Sequence, residues 1–252
     1  QTYHRDENGI DERKTATIDN GQMAALDHDG VDDHVVATKI LTPLSDFDRE
    51  FYSVRINTWK RNPQLIAAVD HIATCDGVAR VQVVWCDADE QPPPDILHHP
   101  SDKVVVEYHT INNLNERFRI LDPSPTLGIL SIDDDILRPC EALDAGFFKW
   151  TTAPDRMIAF DSRLHVENPG GNWQYGYLST TRAANKYSMG LTRCCFLHRD
   201  YLDWYTNDLS REIYNKVAEF FNCEDIAMTF MVSAYTDGQP PLLADCWAMQ
   251  TM

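Results

Sequence analysis

Positive charge is what this chain has least of. Lys and Arg number 22 against 39 Asp and Glu in 252 residues, a formal net charge of −17. A nucleic-acid binder carries a basic footprint to neutralise phosphates, so this balance argues against that class and disfavours docking on anionic membranes. An anionic substrate would be repelled as well, unless a metal ion or a local basic pocket reverses the field. Long apolar runs are missing, and none approaches the roughly 20 residues of a transmembrane helix. The amino terminus lacks a signal-peptide pattern, so any membrane anchor belongs outside this sequence. The 7 cysteines contain no Cys-X-X-Cys pair, which speaks against a zinc site. Their odd number leaves a thiol unpaired or paired between chains, and the redox compartment stays open. No Asn-X-Ser/Thr sequon is present, so glycosylation lends no support to a secretory origin. Internal repeats and low-complexity tracts are absent too.

What is present is an ordinary globular composition, 43% hydrophobic and 24% charged, enough for one domain of mixed type. Residues 1–48 are rich in Asp, Glu, His and Gly and read as a loosely ordered acidic lead-in, with a short helix around Met23–Leu26. The folded core, residues 49–252, is expected to start with a strand from Phe51 to Asn57. Asn62-Pro63 then reads as an N-cap followed by a first-turn proline, opening a helix through Ile72. Val78–Trp85 is near-continuously apolar, as a buried parallel strand is. Three prolines bar the 87–94 segment from a central strand. A third strand (Lys103–Tyr108), a short helix (Asn113–Ile120), a fourth strand (Gly128–Asp133), a helix (Cys140–Trp150) and an extended piece (Met157–Phe160) follow. Strands alternating with helices predict an α/β sheet with a mostly parallel core.

Two acidic clusters carry chemistry. Asp133, Asp134 and Asp135 end an apolar strand, where α/β sheets bind substrates, and their hard oxygens suit Mg²⁺ or Mn²⁺ bridging a diphosphate. An acidic surface turn is the commoner meaning of such a run taken alone. Glu224 and Asp225 fall in the first turn of a predicted helix capped by Asn222, with Ala227, Phe230, Met231 and Ala234 on one face. The helix dipole favours ionised carboxylates there, although acids decorate many helix starts.

Together these motifs resemble the exostosin-like glycosyltransferases of family 64. The resemblance covers about residues 50–235 and rests on Asn57-Thr-Trp-Lys-Arg61, Val83-Val-Trp85, Leu114-Asn-Glu-Arg-Phe118, Ser131-Ile-Asp-Asp-Asp-Ile136, Ala153-Pro-Asp155, Tyr187-Ser-Met189 and Asn222-Cys-Glu-Asp-Ile-Ala-Met228, in the family's order. It implies a GT-A fold, a Rossmann-like nucleotide-binding half joined to an acceptor-binding half. It also implies a retaining enzyme that uses Mn²⁺ or Mg²⁺, takes a UDP- or GDP-sugar donor, and transfers GlcNAc, mannose or a related sugar to a glycan or glycolipid acceptor.

By position, Asp135 would bind the metal, with Asp133 and Asp134 near the ribose and the metal's water shell and Asp133 as a second metal ligand. Asn57, Thr58 and Asp87 would border the base, while Arg61 and Arg117 would meet the nucleotide. Arg163 and His165 would contact donor or acceptor. Asp225 would be the catalytic carboxylate, either stabilising an oxocarbenium-like centre or attacking it, and Glu224 would pair with a donor hydroxyl or an arginine. Trp85 reads better as core packing, and His165, as a lone histidine, reads more often as structural.

Departures from the family pattern are Glu116, where relatives often carry asparagine, and Asp161-Ser162 before Arg163. The family domain also runs on past the position of Met252, and Cys223 matches a cysteine paired with a late partner, for which Cys246 is a substitute. The resemblance places the domain in the Golgi lumen, on a type II membrane protein anchored outside this sequence, as a homo- or hetero-oligomer. The alternative is a non-catalytic partner subunit of a transferase complex. A metal-dependent phosphohydrolase would need further ligand clusters that the sequence does not arrange.

Overall fold

The computed structural model of the protein describes residues 3–4 and 39–244. In chain order its first half is β1 (Tyr3–His4), α1 (Asp46–Glu50), β2 (Tyr52–Thr58), α2 (Asn62–Ile72), β3 (Val78–Trp85), α3 (Pro94–Leu97), β4 (Val104–Tyr108), a 3₁₀ turn (Leu114–Arg117), β5 (Gly128–Asp133) and α4 (Cys140–Thr152). The second half is β6 (Ile158–Ala159), β7 (Ser162–Glu167), β8 (Trp173–Gly176), α5 (Leu178–Ala184), β9 (Lys186–Tyr187), β10 (Met189–Gly190), β11 (Cys194–His198), α6 (Arg199–Asn207), α7 (Arg211–Phe220), α8 (Glu224–Tyr235) and β12 (Leu242–Leu243).

Seven strands make the main sheet, in the order β12-β6-β11-β5-β2-β3-β4. The run β5, β2, β3, β4 is parallel, whereas β11 is antiparallel to both β5 and β6. The fold is therefore the expected α/β type with a mainly parallel sheet. The chain winds from β2 outward to β4 and then returns to β5 on the other side of β2. That reversal opens a crevice at the carboxyl ends of β2 and β5, the place where open α/β sheets hold ligands.

Strand β2 shows why the sheet is central. Tyr52, Val54 and Ile56 join α2 and α4 in one apolar core, while Ile129 of β5 faces a second core built with α6 and α8. The alternate residues of β2, Ser53 and Arg55, are also buried, so each requires a polar partner. Ser53 accepts from Thr126, and Arg55 meets Glu107 of β4 through two hydrogen bonds of 2.8 and 3.0 Å. A smaller antiparallel sheet, β10-β7-β8, flanks the crevice, and β1 pairs with β9. Helix α4 lies close on the sheet because it carries Gly146, whose added Cβ would come within 2.6 Å of the Phe160 ring.

Several local expectations are corrected. Asn62 is the first residue of α2 rather than its cap, which is Arg61. Helix α8 starts at Glu224 behind Cys223, whose φ of 73° gives a left-handed cap with no side-chain bond, so Asn222 does not cap it. Its buried face is Ala227, Met228, Met231 and Val232, while Phe230 is 47% exposed. Among the described residues a helix already precedes the expected start at Phe51: α1, closed by a reciprocal Ser45–Asp48 capping box. A disulfide joins Cys75, after α2, to Cys140 at the start of α4. Cys223 is exposed and carries none, and its expected partner Cys246 lies outside the described residues, as does the Met23–Leu26 helix.

Candidate active site

Strand pairing builds the floor of the crevice. Asn57 near the end of β2 is the register partner of Asp133 at the end of β5. Beyond β2 the chain turns sharply through Lys60, a non-glycine residue at φ 56°. Such strain concentrates where surroundings hold a loop in place. The turn brings Arg61 back over the aspartates, with its guanidinium 2.7 Å from Asp134 and 2.8 Å from Asp135. Thr58 Oγ1 donates to Asp134 at 2.7 Å. Asp134 is buried; burial raises its carboxyl pKa, and Thr58 and Arg61 oppose this without cancelling it. The three aspartates thus diverge. Asp134 anchors the loop, Asp133 faces Arg117, and Asp135 stays half exposed beside half-exposed Arg61.

Arg117 is the deepest cation of the site, only 4% exposed. Its Nη2 donates to Asp133 at 2.9 Å and lies 4.0 Å from Glu224, which also accepts from Thr192 at 2.9 Å. Burial alone would lower the guanidinium pKa; Asp133 and Glu224 outweigh it and raise the value, so the charge is held. Arg117 Nε and Nη1 are buried with no hydrogen-bond partner among the described residues. Two charged donors left unpaired in this way are costly unless a ligand takes them.

Asp225, in the first turn of α8, is buried and accepts from the Tyr175 hydroxyl at 2.5 Å. Tyr175 stands on β8, across from His165 on β7. His165 itself meets Ser188 at 2.6 Å and the rings of Trp173 and Phe230, so its polar contact is not with Asp225. Arg163 lies over the Tyr177 ring and donates to the Ser162 carbonyl, with Nε buried and unpaired. Asp87 is buried beside the β3 end, 3.9 Å from Lys60. Trp85 is fully buried, and its indole donates to the Glu90 carbonyl. The structure therefore brings together Asn57, Thr58, Arg61, Arg117, Asp133, Asp134, Asp135 and Glu224, sets Asp225 beside them on α8, and leaves His165 in an aromatic cluster.

Over residues 52–251 the sequence matches the glycosyl transferase family 64 domain. The chain belongs to glycosyl transferase family 64. It is 32% identical over 206 residues to glycosylinositol phosphorylceramide mannosyl transferase 1 of Arabidopsis thaliana, a match covering 75% of this chain and 61% of that protein. With human exostosin-2 it shares 29% identity over 205 residues, 80% of this chain and 28% of that protein. The chain thus spans less than two thirds of the length of these relatives. Among solved structures, mannosyltransferase PcManGT of Pyrobaculum calidifontis, in complex with GDP-Man and Mn²⁺, overlays with a TM-score of 0.51 at 15% identity, covering 80% of this chain and 58% of that one. That likeness is one of fold, and the fold is that of a GT-A-type nucleotide-sugar transferase.

Asp133 and Asp135 offer hard carboxylate oxygens of the kind Mg²⁺ and Mn²⁺ take. The aspartates do not form a closed nest. Among the described residues only His71, Cys75 and Cys140 bring three ligand atoms within 4.8 Å, and the two sulfurs there are bonded to each other. A closed nest is not needed, because Mg²⁺ in phosphate sites typically uses one or two carboxylates with waters and substrate phosphates completing the shell. The exposed Arg61–Asp135 pair is weak and leaves Asp135 able to exchange partners. The residues fit the ion.

Sequence reasoning missed Tyr175, Thr192 and Arg193. Arg193 holds Asp161 through contacts of 3.0 and 2.8 Å, so the acid that departs from the family pattern is paired rather than loose. Tyr175 sits in a four-residue strand with two exposed neighbours, Trp173 and Tyr177, and nothing in that stretch separates it from a surface aromatic.

Proposed function

We propose that this family 64 chain is the catalytic domain, residues 49–252, of a retaining, divalent-metal-dependent glycosyltransferase. It moves a hexosyl or N-acetylhexosaminyl group from a UDP- or GDP-sugar to a glycan or glycolipid acceptor. The observation that carries this reading is Arg117: a buried guanidinium with two unpaired donors, at the strand-end crevice, next to Asp133. Forked donors of this kind suit phosphate and base edges. With Arg61 at the crevice mouth, it supplies the local positive field that an anionic donor needs against a net charge of −17.

In this reading Asn57, Thr58 and Asp87 border the base, and Asp134 holds the loop in shape through Thr58 and Arg61. Asp133 and Asp135 would hold Mn²⁺ or Mg²⁺, which when bound would supply positive charge for the diphosphate of the donor. Mn²⁺ is the ion recorded with the structural neighbour, which makes it the first to try. Asp225 presents a carboxylate to the positive charge that grows at the anomeric carbon, and Tyr175 fixes that carboxylate by donating to it. Glu224 is tied to Arg117 and Thr192, so it orients the donor pocket. Arg163 and His165, on β7 next to the strand that carries Tyr175, would contact donor or acceptor. The Cys75–Cys140 disulfide supports an oxidising compartment such as the Golgi lumen. No helix of the described residues is long and apolar enough to cross a membrane, so membrane attachment would use a segment beyond them.

Release of nucleoside diphosphate from a panel of UDP- and GDP-sugars, with Mn²⁺ and glycan or glycolipid acceptors, tests the reading. One donor should turn over, and Asp225→Asn should slow turnover by about 10²-fold or more while leaving donor affinity within a few-fold. Full turnover in Asp225→Asn removes the role given to that carboxylate.

A further inference from the structure

Behind Arg117 lies a buried ionic network that the reaction scheme above does not use. Arg55, Glu107, His109 and Glu116 are each 4% exposed or less. Arg55 sends Nη1 and Nη2 to the two Glu107 oxygens, and its remaining donors to backbone: Nε to the Arg117 carbonyl at 3.1 Å and Nη2 to the Arg119 carbonyl at 2.7 Å. His109 bridges the two acids, with Nε2 2.7 Å from Glu107 and Nδ1 2.5 Å from Glu116. Glu116 belongs to the same 3₁₀ turn as Arg117. The turn is thus gripped by its backbone through Arg55 and by a side chain through His109.

The imidazole faces a carboxylate on each side. Ionised carboxylates only accept, and a neutral imidazole has one donor, so both contacts can be hydrogen bonds only when the ring is an imidazolium. The charged groups around it are Glu107 from β4, Glu116 and Arg119 from the turn region and Arg55 from β2, with Arg119 3.6 Å from Glu116. Loss of the ring proton would leave one buried acid facing a lone pair at hydrogen-bond distance. Because Arg55 links this network to the Arg117 carbonyl, a disturbance here reaches the residue that holds Asp133.

We propose that Arg55, Glu107, His109 and Glu116 form a positioning unit that sets the Arg117 guanidinium for the nucleotide donor, with His109 as its protonated bridge. This rests on the reading of Arg117 as a donor-binding residue and extends it to four buried residues behind it. It also gives Glu116, the departure from the family's asparagine, a definite role: it turns inward to His109.

Calorimetric titration of UDP and GDP with Mn²⁺ separates the two ideas. Glu116→Gln and His109→Gln should each weaken nucleotide binding by about tenfold or more, as should Arg117→Lys. Wild-type affinity in Glu116→Gln and His109→Gln, with binding impaired in Arg117→Lys, overturns the positioning unit and spares the donor reading. Wild-type affinity in all three overturns both. Should the buried substitutions unfold the chain, nitrogen-15 NMR of the unmodified protein decides. His109 should show two protonated ring nitrogens at neutral pH, and the Arg117 Nε–H resonance should shift over the pH range in which that ring loses its proton. A neutral His109 ring at pH 7, or an Arg117 resonance indifferent to its titration, overturns the proposal.

Discussion

Glu107 collects Arg55, His109, Gln82 and the Asp122 backbone N–H around one buried carboxylate. Burial pushes its pKa up, but the bonds from His109 and Arg55 win and bring it to about 2, from an ordinary 4.5. A depressed carboxyl contributes stability that is complete above pH 4.5 and is lost as pH falls through about 2. His109 has the opposite sign. Burial lowers its pKa, Glu107 and Glu116 outweigh that, and the net shift is upward from 6.5. Its contribution is complete below pH 6.5 and is lost as pH rises through the raised value. Denaturant unfolding followed from pH 8 to pH 2 should therefore show wild type losing stability steeply between pH 4.5 and pH 2. Glu107→Gln should start less stable at pH 7 and lose on the order of 3 kcal/mol less across that interval. Equal acid slopes in the two proteins would contradict the assignment. Arg55 was not singled out in the sequence: it lies in a strand read as alternating, and its partners come from β4 and the 3₁₀ turn, which no local pattern names.

At the scale of elements, the loop carrying Asp134 and Asp135 leaves β5 and runs into α4, and its far end is tied down. Cys140 is bonded to Cys75 across a separation of 65 residues, and His71 bonds the Arg138 carbonyl at 2.7 Å. Replacing both cysteines by serine should cost about 2–4 kcal/mol in chemical denaturation, chiefly by freeing the unfolded chain. A change under about 0.5 kcal/mol would contradict that constraint on the unfolded chain. Strands β3 and β5 were legible to the residue because near-continuous apolar runs end in polar turns. The disulfide was not, since pairing depends on where α2 and α4 lie on one face of the sheet. The buried stripe of α8 was misread by about one position, because the helix enters from left-handed Phe221 and Cys223 rather than from an Asn222 cap. β6 falls inside the expected extended piece Met157–Phe160, whereas the strands β7 to β10, two to six residues long, carry too little periodicity to be read.

For the whole molecule, the proposed anionic donor would have to approach a chain of net charge −17. The fold answers by turning back at β5. That reversal brings Arg61 from the end of β2, Arg117 from the 3₁₀ turn and the aspartates of β5 to one crevice. The aspartates and the family motifs were readable in sequence, and so was the α/β class. What was not readable is that Asp133, Asp134 and Asp135 face three directions, since three adjacent acids look alike until Thr58, Arg61 and Arg117 divide them.

Thermal unfolding with UDP or GDP, with and without Mn²⁺, in wild type and in Asp135→Asn, tests the central claim most directly. A ligand that binds only the native state raises its apparent stability by mass action, about 2.7 kcal/mol at a hundredfold excess over Kd. The account predicts a melting temperature raised by one of the two nucleotides only when Mn²⁺ is present, and no such rise in Asp135→Asn. An equal rise in the two proteins, or no rise with either nucleotide in wild type, would contradict it.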